Sequence, residues 1–206
     1  EEGFPGNMNV SVMYSLYGSS LCMEAKATCD QDTLCSFTNH NYYNLDDTDT
    51  IRTHVLQIHA DAYALNDEYH IAAADLTSVS GTPFDFRMAK EIGKDIDSKD
   101  QQIKMSNGYD HYFAISGKGL REMAVCRGKR LQMIIRSDLP GMHVYTGNKM
   151  NGIGKKGSVH AVHSAICFEP EYQPNAINEE KVEPKPILKV TEERRSRIEI
   201  QLDEIK

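Results

Sequence analysis

His40 lies in the run Asn39-His40-Asn41-Tyr42-Tyr43-Asn44-Leu45, and two carboxylates, Glu169 and Glu171, lie in Cys167-Phe168-Glu169-Pro170-Glu171-Tyr172-Gln173-Pro174. An imidazole titrates near ~6.5 when unperturbed, so His40 can both give and take a proton at neutral pH. Glu169 and Glu171 are two positions apart, which puts them on one face if the strand continues. Like charges that close resist joint ionisation, so one pKa rises, and a raised glutamate is the better general base near neutrality. A third segment, Gly108-Tyr109-Asp110-His111, follows a turn and precedes a strand, where the Asp110 carboxylate can accept hydrogen bonds from the hydroxyls of a sugar. Each has a plain structural alternative: a hydrogen-bonded turn histidine, a pair of solvated charges, an Asp that satisfies a turn backbone. The residue types leave both readings open.

Three other motifs carry no chemistry. The glycine-rich stretch Gly147 to Gly157 contains Gly154-Lys155 but lacks phosphate-loop spacing and a strand-to-helix context, so it reads as a mobile hairpin. His160 and His163 with Glu169 suggest a metal trio, but in one strand residues an odd number apart point to opposite faces, and no metal is expected. Asn9-Val10-Ser11 fits a glycosylation pattern that matters only in a secreted chain.

The elements that must hold these groups are strands. Val10, Val12, Tyr14 and Leu16 alternate, as do Leu21, Met23, Ala25 and Ala27, then Leu131, Met133 and Ile135, and finally Ile198, Ile200 and Leu202. This is the pattern of half-buried antiparallel strands. Val55 to Ala60, Tyr112 to Ile115 and Val159 to Phe168 have strand composition too, with turns such as Asn107-Gly108 and Asn151-Gly152 between strands. Helix is expected only as one or two turns at Arg87 to Ile92, with the charged stretch Glu192 to Arg197 running into a strand. Many short strands, no repeat and no domain linker predict an all-β antiparallel sandwich or barrel, with residues 1–206 as a single domain.

Thirty acidic against twenty-three basic residues give a net charge of -7, the wrong sign for coating nucleic acid or an anionic membrane. Charged and polar residues interrupt every apolar run, so no membrane span is expected. Five cysteines without a CxxC pair, mostly inside apolar alternations, read as small buried hydrophobes in a reducing, cytoplasmic compartment. The chain starts at Glu1 with no initiator Met or signal peptide, which reads as a processed or excised piece.

Taken together, the segments resemble the aldose 1-epimerases, or galactose mutarotases, from one end of the chain to the other. Glu2-Gly3-Phe4-Pro5-Gly6-Asn7 looks like the family's opening motif, and Thr38-Asn39-His40-Asn41-Tyr42-Tyr43-Asn44-Leu45 like its Thr-Asn-His-Ser-Tyr-Phe-Asn-Leu signature. Gly81-Thr82-Pro83-Phe84-Asp85-Phe86-Arg87, Gly108-Tyr109-Asp110-His111, Pro140-Gly141 with Tyr145-Thr146-Gly147-Asn148, and Cys167-Phe168-Glu169 follow in the family's order.

The resemblance implies a large galactose mutarotase-like β-sandwich and an isomerase that interconverts the anomers of free hexoses such as galactose and glucose. It implies no cofactor. By it His40 is similar to the general acid, Glu169 to the general base and Asp110 to a sugar-binding carboxylate, with Tyr42 and His143 beside the same ligand. Departures from the family pattern fall at Asn41, Tyr43, His143, Glu171 and Asn175; His143 and Glu171 stand where Gln is common and bear on sugar preference and site charge. Family members also carry an N-terminal portion, with an Arg and a second His that touch the sugar, ahead of the segment where this chain begins. The expected partners are therefore a monosaccharide and the missing N-terminal fragment or a second chain. The alternative function is a non-catalytic carbohydrate-binding sandwich, and a third reading is a fragment that serves as an interaction surface.

Overall fold

The computed structural model describes residues 3–205; Glu1, Glu2 of the opening motif and Lys206 lie outside the described residues. In chain order the strands are β1 (Met8–Tyr17), β2 (Ser20–Cys29), β3 (Thr33–Leu34), β4 (Tyr42–Tyr43), β5 (Val55–Ile58), β6 (Ala60–Asn66), β7 (Ala72–Ser78) and β8 (Lys90–Glu91). After a short helix, α1 (Gln101–Ser106), come β9 (Asp110–Ile115), β10 (Arg121–Arg127), β11 (Leu131–Ser137), β12 (Gly141–Tyr145), β13 (Gly152–Ile153), β14 (Val159–His160), β15 (Ile166–Glu171), β16 (Ile187–Leu188) and β17 (Arg194–Glu204). Every pairing is antiparallel.

Of two large sheets, the first has the order β1-β2-β17-β11-β10-β5-β8 and the second β4-β15-β12-β9-β6-β7, with the two-stranded pairs β13-β14 and β16-β3 besides. Their alternating inward residues meet in one core. Met23, Leu56, Met133, Ile135, Ile198 and Ile200 come from the first sheet, and Tyr63, Phe113, Met142, Val144, Ile166 and Phe168 from the second. Burying each such side chain stabilises the fold by roughly 1.5–3 kcal/mol relative to leaving it in water. The Gly81 to Arg87 motif is a plug for this core: Phe84 and Phe86 are fully buried, and Phe84 stacks on Tyr63 with ring centroids 4.2 Å apart.

Several expectations need correction. The alternation in β1 does not bury a face: all four of Val10, Val12, Tyr14 and Leu16 are exposed, Leu16 at 74%. β1 is an edge strand bonded to β2 alone, and no described residue covers it. Val55 to Ala60 is not one strand; the chain leaves the first sheet at Ile58 and enters the second at Ala60. Val159 to Phe168 breaks between β14 and β15, where His163 takes a positive φ of 59°. His160 and His163 therefore never share a strand, and the face argument does not apply to them.

The helical expectation was misplaced as well. Lys90–Glu91 pairs with β5, and only a 3-10 turn, Ile92–Lys94, follows it. Arg194 onward is strand. The true helix is α1, where the Asp100 side chain accepts from the N–H groups of Gln102 and Ile103, and Asn107 closes the end in the left-handed region. With only Ile103 and Ser106 buried, α1 has too little apolar surface to leave a periodic signal. Among the described residues no helix is long and apolar enough to cross a membrane, and all five cysteines are free and buried.

Candidate active site

The site lies on the face of the second sheet turned away from the core. Three neighbouring strands supply most of it: Asp110 from β9, His143 and Tyr145 from β12, and Glu169 and Glu171 from β15. Register explains the gathering. Tyr145 pairs with Asp110 and with Cys167, and His143 pairs with Glu169, so directly opposed side chains share one face. They line an open cavity of about 400 Å³, with His40, Lys149 and Pro174 at its rim.

His40 arrives by a different route. Tyr42 pairs with Cys167 and Tyr43 with Ile166, and that register carried two residues further sets His40 opposite Glu169. The observed distance from His40 Nε2 to Glu169 Oε1 is 3.5 Å. The asparagines of the signature pin the segment: Asn39 Oδ1 accepts from Asn41 N–H, and Asn44 Nδ2 donates to the carbonyls of Thr48 and Ser164. The His40 ring stacks on Tyr42, centroids 5.3 Å apart, and its side chain is 55% exposed.

Asp110 is fixed from behind. Its N–H donates to His111 Nδ1 at 3.0 Å, and its carbonyl accepts from Asn66 Nδ2 at 2.8 Å. His111 Nε2 in turn lies 2.9 Å from Gln102 Oε1, which makes it the donor there and Nδ1 the acceptor. That arrangement needs a neutral ring, and burial pushes the His111 pKa down to about 3. Two of the sequence motifs prove to be one unit: Thr146 Oγ1 accepts from Tyr109 N–H, and Asn148 Nδ2 donates to the Tyr109 carbonyl. Gly108 permits that approach, having a φ of +136° and space so tight that a Cβ would sit 2.4 Å from Asn148 Oδ1.

The electrostatics follow from burial and pairing. Burial raises the Glu169 pKa, opposed by the charges of His40 and His143. Burial also pushes Glu171 up to about 7, with the charge of Glu169 adding to the effect and His143 opposing it. Burial acts upward on Asp110 too and is the largest single influence, but the hydrogen bond from His143 and the charges of the neighbouring histidines together outweigh it and leave the carboxyl below its ordinary range. His143 Nε2 lies 2.8 Å from Asp110 Oδ1 and Nδ1 lies 3.6 Å from Glu171 Oε1. Burial works against charging that ring, yet the hydrogen bond to Asp110 and the charge of Glu171 raise its pKa overall.

His40, Cys167 and Glu169 place ligand atoms within 4.8 Å of one another, a donor set able to take a divalent cation. Burial pushes the Cys167 thiol up to about 12, so a cation there would first have to displace a proton. His160 and His163 take no part: His160 is exposed on β14, while His163 is buried with Nε2 2.8 Å from the Asn107 carbonyl.

Of the residues singled out from sequence, His40, Asp110, His143 and Glu169 line one cavity. Tyr42 stands at its edge, stacked on His40, and lines a neighbouring cavity of about 470 Å³ with Asn44 and His160. Sequence reasoning missed Tyr145 and Lys149 as lining residues, and Asn66 and Gln102 as the supports of Asp110.

A family profile described as aldose 1-epimerase matches residues 1–201. The chain belongs to the aldose 1-epimerase family. It is 36% identical over 202 residues to the galactose mutarotase of Bos taurus, covering 94% of this chain and 57% of that protein. It is 34% identical over 209 residues to the aldose 1-epimerase of Escherichia coli K12, covering 98% of this chain and 60% of that protein. The chain thus spans about three fifths of the length of these family relatives. Among solved structures, an aldose epimerase homologue from C. elegans matches with a TM-score of 0.90 at 26% identity, over 100% of this chain and 62% of the other. The galactose 1-epimerase of Lactobacillus acidophilus NCFM matches with a TM-score of 0.87 at 29% identity, over 98% and 59%. The galactose mutarotase-like sandwich expected from the family resemblance is the fold of this chain.

Proposed function

We propose that this chain, read as a single mutarotase-like domain, carries the catalytic pair of an aldose 1-epimerase acting on free hexoses such as galactose and glucose. The observation that supports this most directly is the approach of His40 Nε2 to Glu169 Oε1, 3.5 Å apart at the rim of a polar cavity. The hydroxyl oxygen and the ring oxygen of a pyranose are both bonded to the anomeric carbon, so a base and an acid this close can serve both. Glu169 takes the proton of the anomeric hydroxyl, the electron pair forms the aldehyde carbonyl, the bond from the anomeric carbon to the ring oxygen breaks, and protonated His40 delivers a proton to that oxygen. Rotation about the adjacent carbon–carbon bond and the reverse steps give the other anomer. Each proton-transfer group contributes on the order of 10²–10⁴ in rate, and Asp110 accepts a sugar hydroxyl.

The raised pKa of Glu169 suits a base working near neutrality, and three carboxylates around the cavity disfavour anionic sugars. Five buried free thiols suit a cytoplasmic setting. The exposed edge strand β1 supports a partner segment, either the N-terminal portion that longer relatives carry or a second chain, because an unpaired apolar edge is normally covered.

A second reading, sugar binding without turnover, draws on the span of about three fifths of the relatives' length. Polarimetry of freshly dissolved α-galactose or α-glucose separates the two. Faster mutarotation that disappears in Glu169→Gln supports the enzyme; saturable binding at the spontaneous rate supports the binding module and overturns catalysis by this chain.

A further inference from the structure

We propose that His143 is a positioning residue: clamped between Asp110 and Glu171, it sets the Asp110 carboxylate against the sugar and does not contact the sugar itself. The inference deepens the sugar-site reading above and rests on it. Its first basis is direction. β12 is the middle strand of the three, so a side chain there can reach both neighbours, and His143 does: Nε2 lies 2.8 Å from Asp110 Oδ1 and Nδ1 3.6 Å from Glu171 Oε1. Both ring nitrogens are turned toward protein carboxylates. Nε2 is taken up by the hydrogen bond to Asp110, while Nδ1 faces Glu171 at ion-pair distance, beyond hydrogen-bond reach.

The second basis is what remains free on Asp110. Its N–H and carbonyl are held by His111 and Asn66, so the backbone cannot swing. The His143 hydrogen bond then occupies Oδ1 and fixes the side chain, which leaves Oδ2 to accept from a sugar hydroxyl. To serve a carboxylate on each side the ring needs both protons. The charged and titratable groups around it are Asp110, the neutral His111 and Tyr112 on β9, Glu169 and Glu171 on β15, Tyr145 on its own strand, and His40 and Lys149 at the rim. The carboxyl groups on the flanking strands favour the imidazolium, and partial burial of the His143–Asp110 contact limits its screening. As a cation, His143 also offsets negative charge on the carboxyl groups facing a neutral ligand.

The test follows histidine protonation directly, without turnover. In the full chain labelled with ¹⁵N-histidine, long-range ¹H–¹⁵N NMR is expected to show His143 titrating above an ordinary imidazole, and to show that titration displaced downward in Glu171→Gln and in Asp110→Asn. The second measurement is sugar affinity, as KM or as the galactose dissociation constant. His143→Gln keeps a donor without a charge, and is expected to weaken affinity about tenfold, the scale of one charge-assisted hydrogen bond, with kcat falling less than KM rises. Because His143 acts through Asp110, adding His143→Gln to Asp110→Asn is expected to cost nothing further.

Three results overturn the proposal: unchanged affinity in His143→Gln, full additivity in the double variant, or a His143 titration that ignores Glu171→Gln. Absence of saturable galactose binding by the parent overturns it too. Loss of turnover with binding intact overturns the catalytic reading alone.

Discussion

Tyr42 pairs with Cys167 across β4 and β15, and this one pairing carries His40 to 3.5 Å from Glu169. The proposed acid and base are thus set by strand register, although 128 residues lie between them in the chain. His143 and Glu171 then attach to the same strands by the same logic.

If His40 is the acid, His40→Asn removes proton transfer while retaining a polar side chain. The expected result is a fall in kcat of about 10²–10⁴ with KM within a few fold. Polarimetry over a range of galactose concentrations checks it, and a KM effect larger than the kcat effect would count against the assigned role.

Glu169 must be ionised to act as a base, and its pKa is raised chiefly by burial. Activity is therefore expected to fall as pH drops through a value above the ordinary carboxylate range. A profile of kcat/KM between about pH 4 and 8 reads this limb; one centred at 4.5, the value of a free glutamate, is the contrary result.

Glu171 bears on stability with a definite sign. Its folded pKa of about 7 exceeds the value of 4.5 for the free group, so charging it costs more in the native state than in the unfolded chain. The protonated form stabilises the fold fully below the unfolded pKa, and that contribution is lost as pH rises toward and through 7. Relative to the parent, Glu171→Gln is expected to gain stability progressively over this window, by an amount on the order of 3 kcal/mol. Urea unfolding of both proteins at several pH values measures it, and a gap independent of pH would show that Glu171 does not titrate there.

Gly141 faces the ring of Tyr112, and a Cβ at this position would lie 2.2 Å from it. Tyr112 is buried in a cluster with Ala64 and Ala72, so its ring must shift within packed surroundings. Gly141→Ala is expected to destabilise the fold by about 1–3 kcal/mol through overpacking and to disturb His143, two residues along β12. A denaturation midpoint equal to that of the parent would contradict the packing argument.

The inner strands were legible from sequence because a buried face forces alternation, as at Met133 with Ile135 and Ile198 with Ile200. The same pattern misled in β1, since alternation records the chemistry of a strand and says nothing about what covers it. The break at His163 was hidden because apolar composition continues on both sides of a turn set by one left-handed residue. The site's parts were visible as polar clusters beside strands, and the family resemblance joined them. Their distances were not, because Asp110, His143 and Glu169 meet through pairings between strands remote in the chain. Asn66 and Gln102 left no signal at all: they act on the Asp110 segment through His111 and the backbone, from a strand end and a one-turn helix.

The anchoring of the site is unequal. Asp110, His143, Glu169 and Glu171 ride on three hydrogen-bonded strands of one sheet, whereas His40 sits ahead of a two-residue strand with most of its side chain in solvent. The carboxylate side of the cavity is held by the sheet, and the imidazole side by a loop that the signature asparagines pin. Substitutions in that loop are therefore expected to displace the imidazole while the carboxylate floor stays in place.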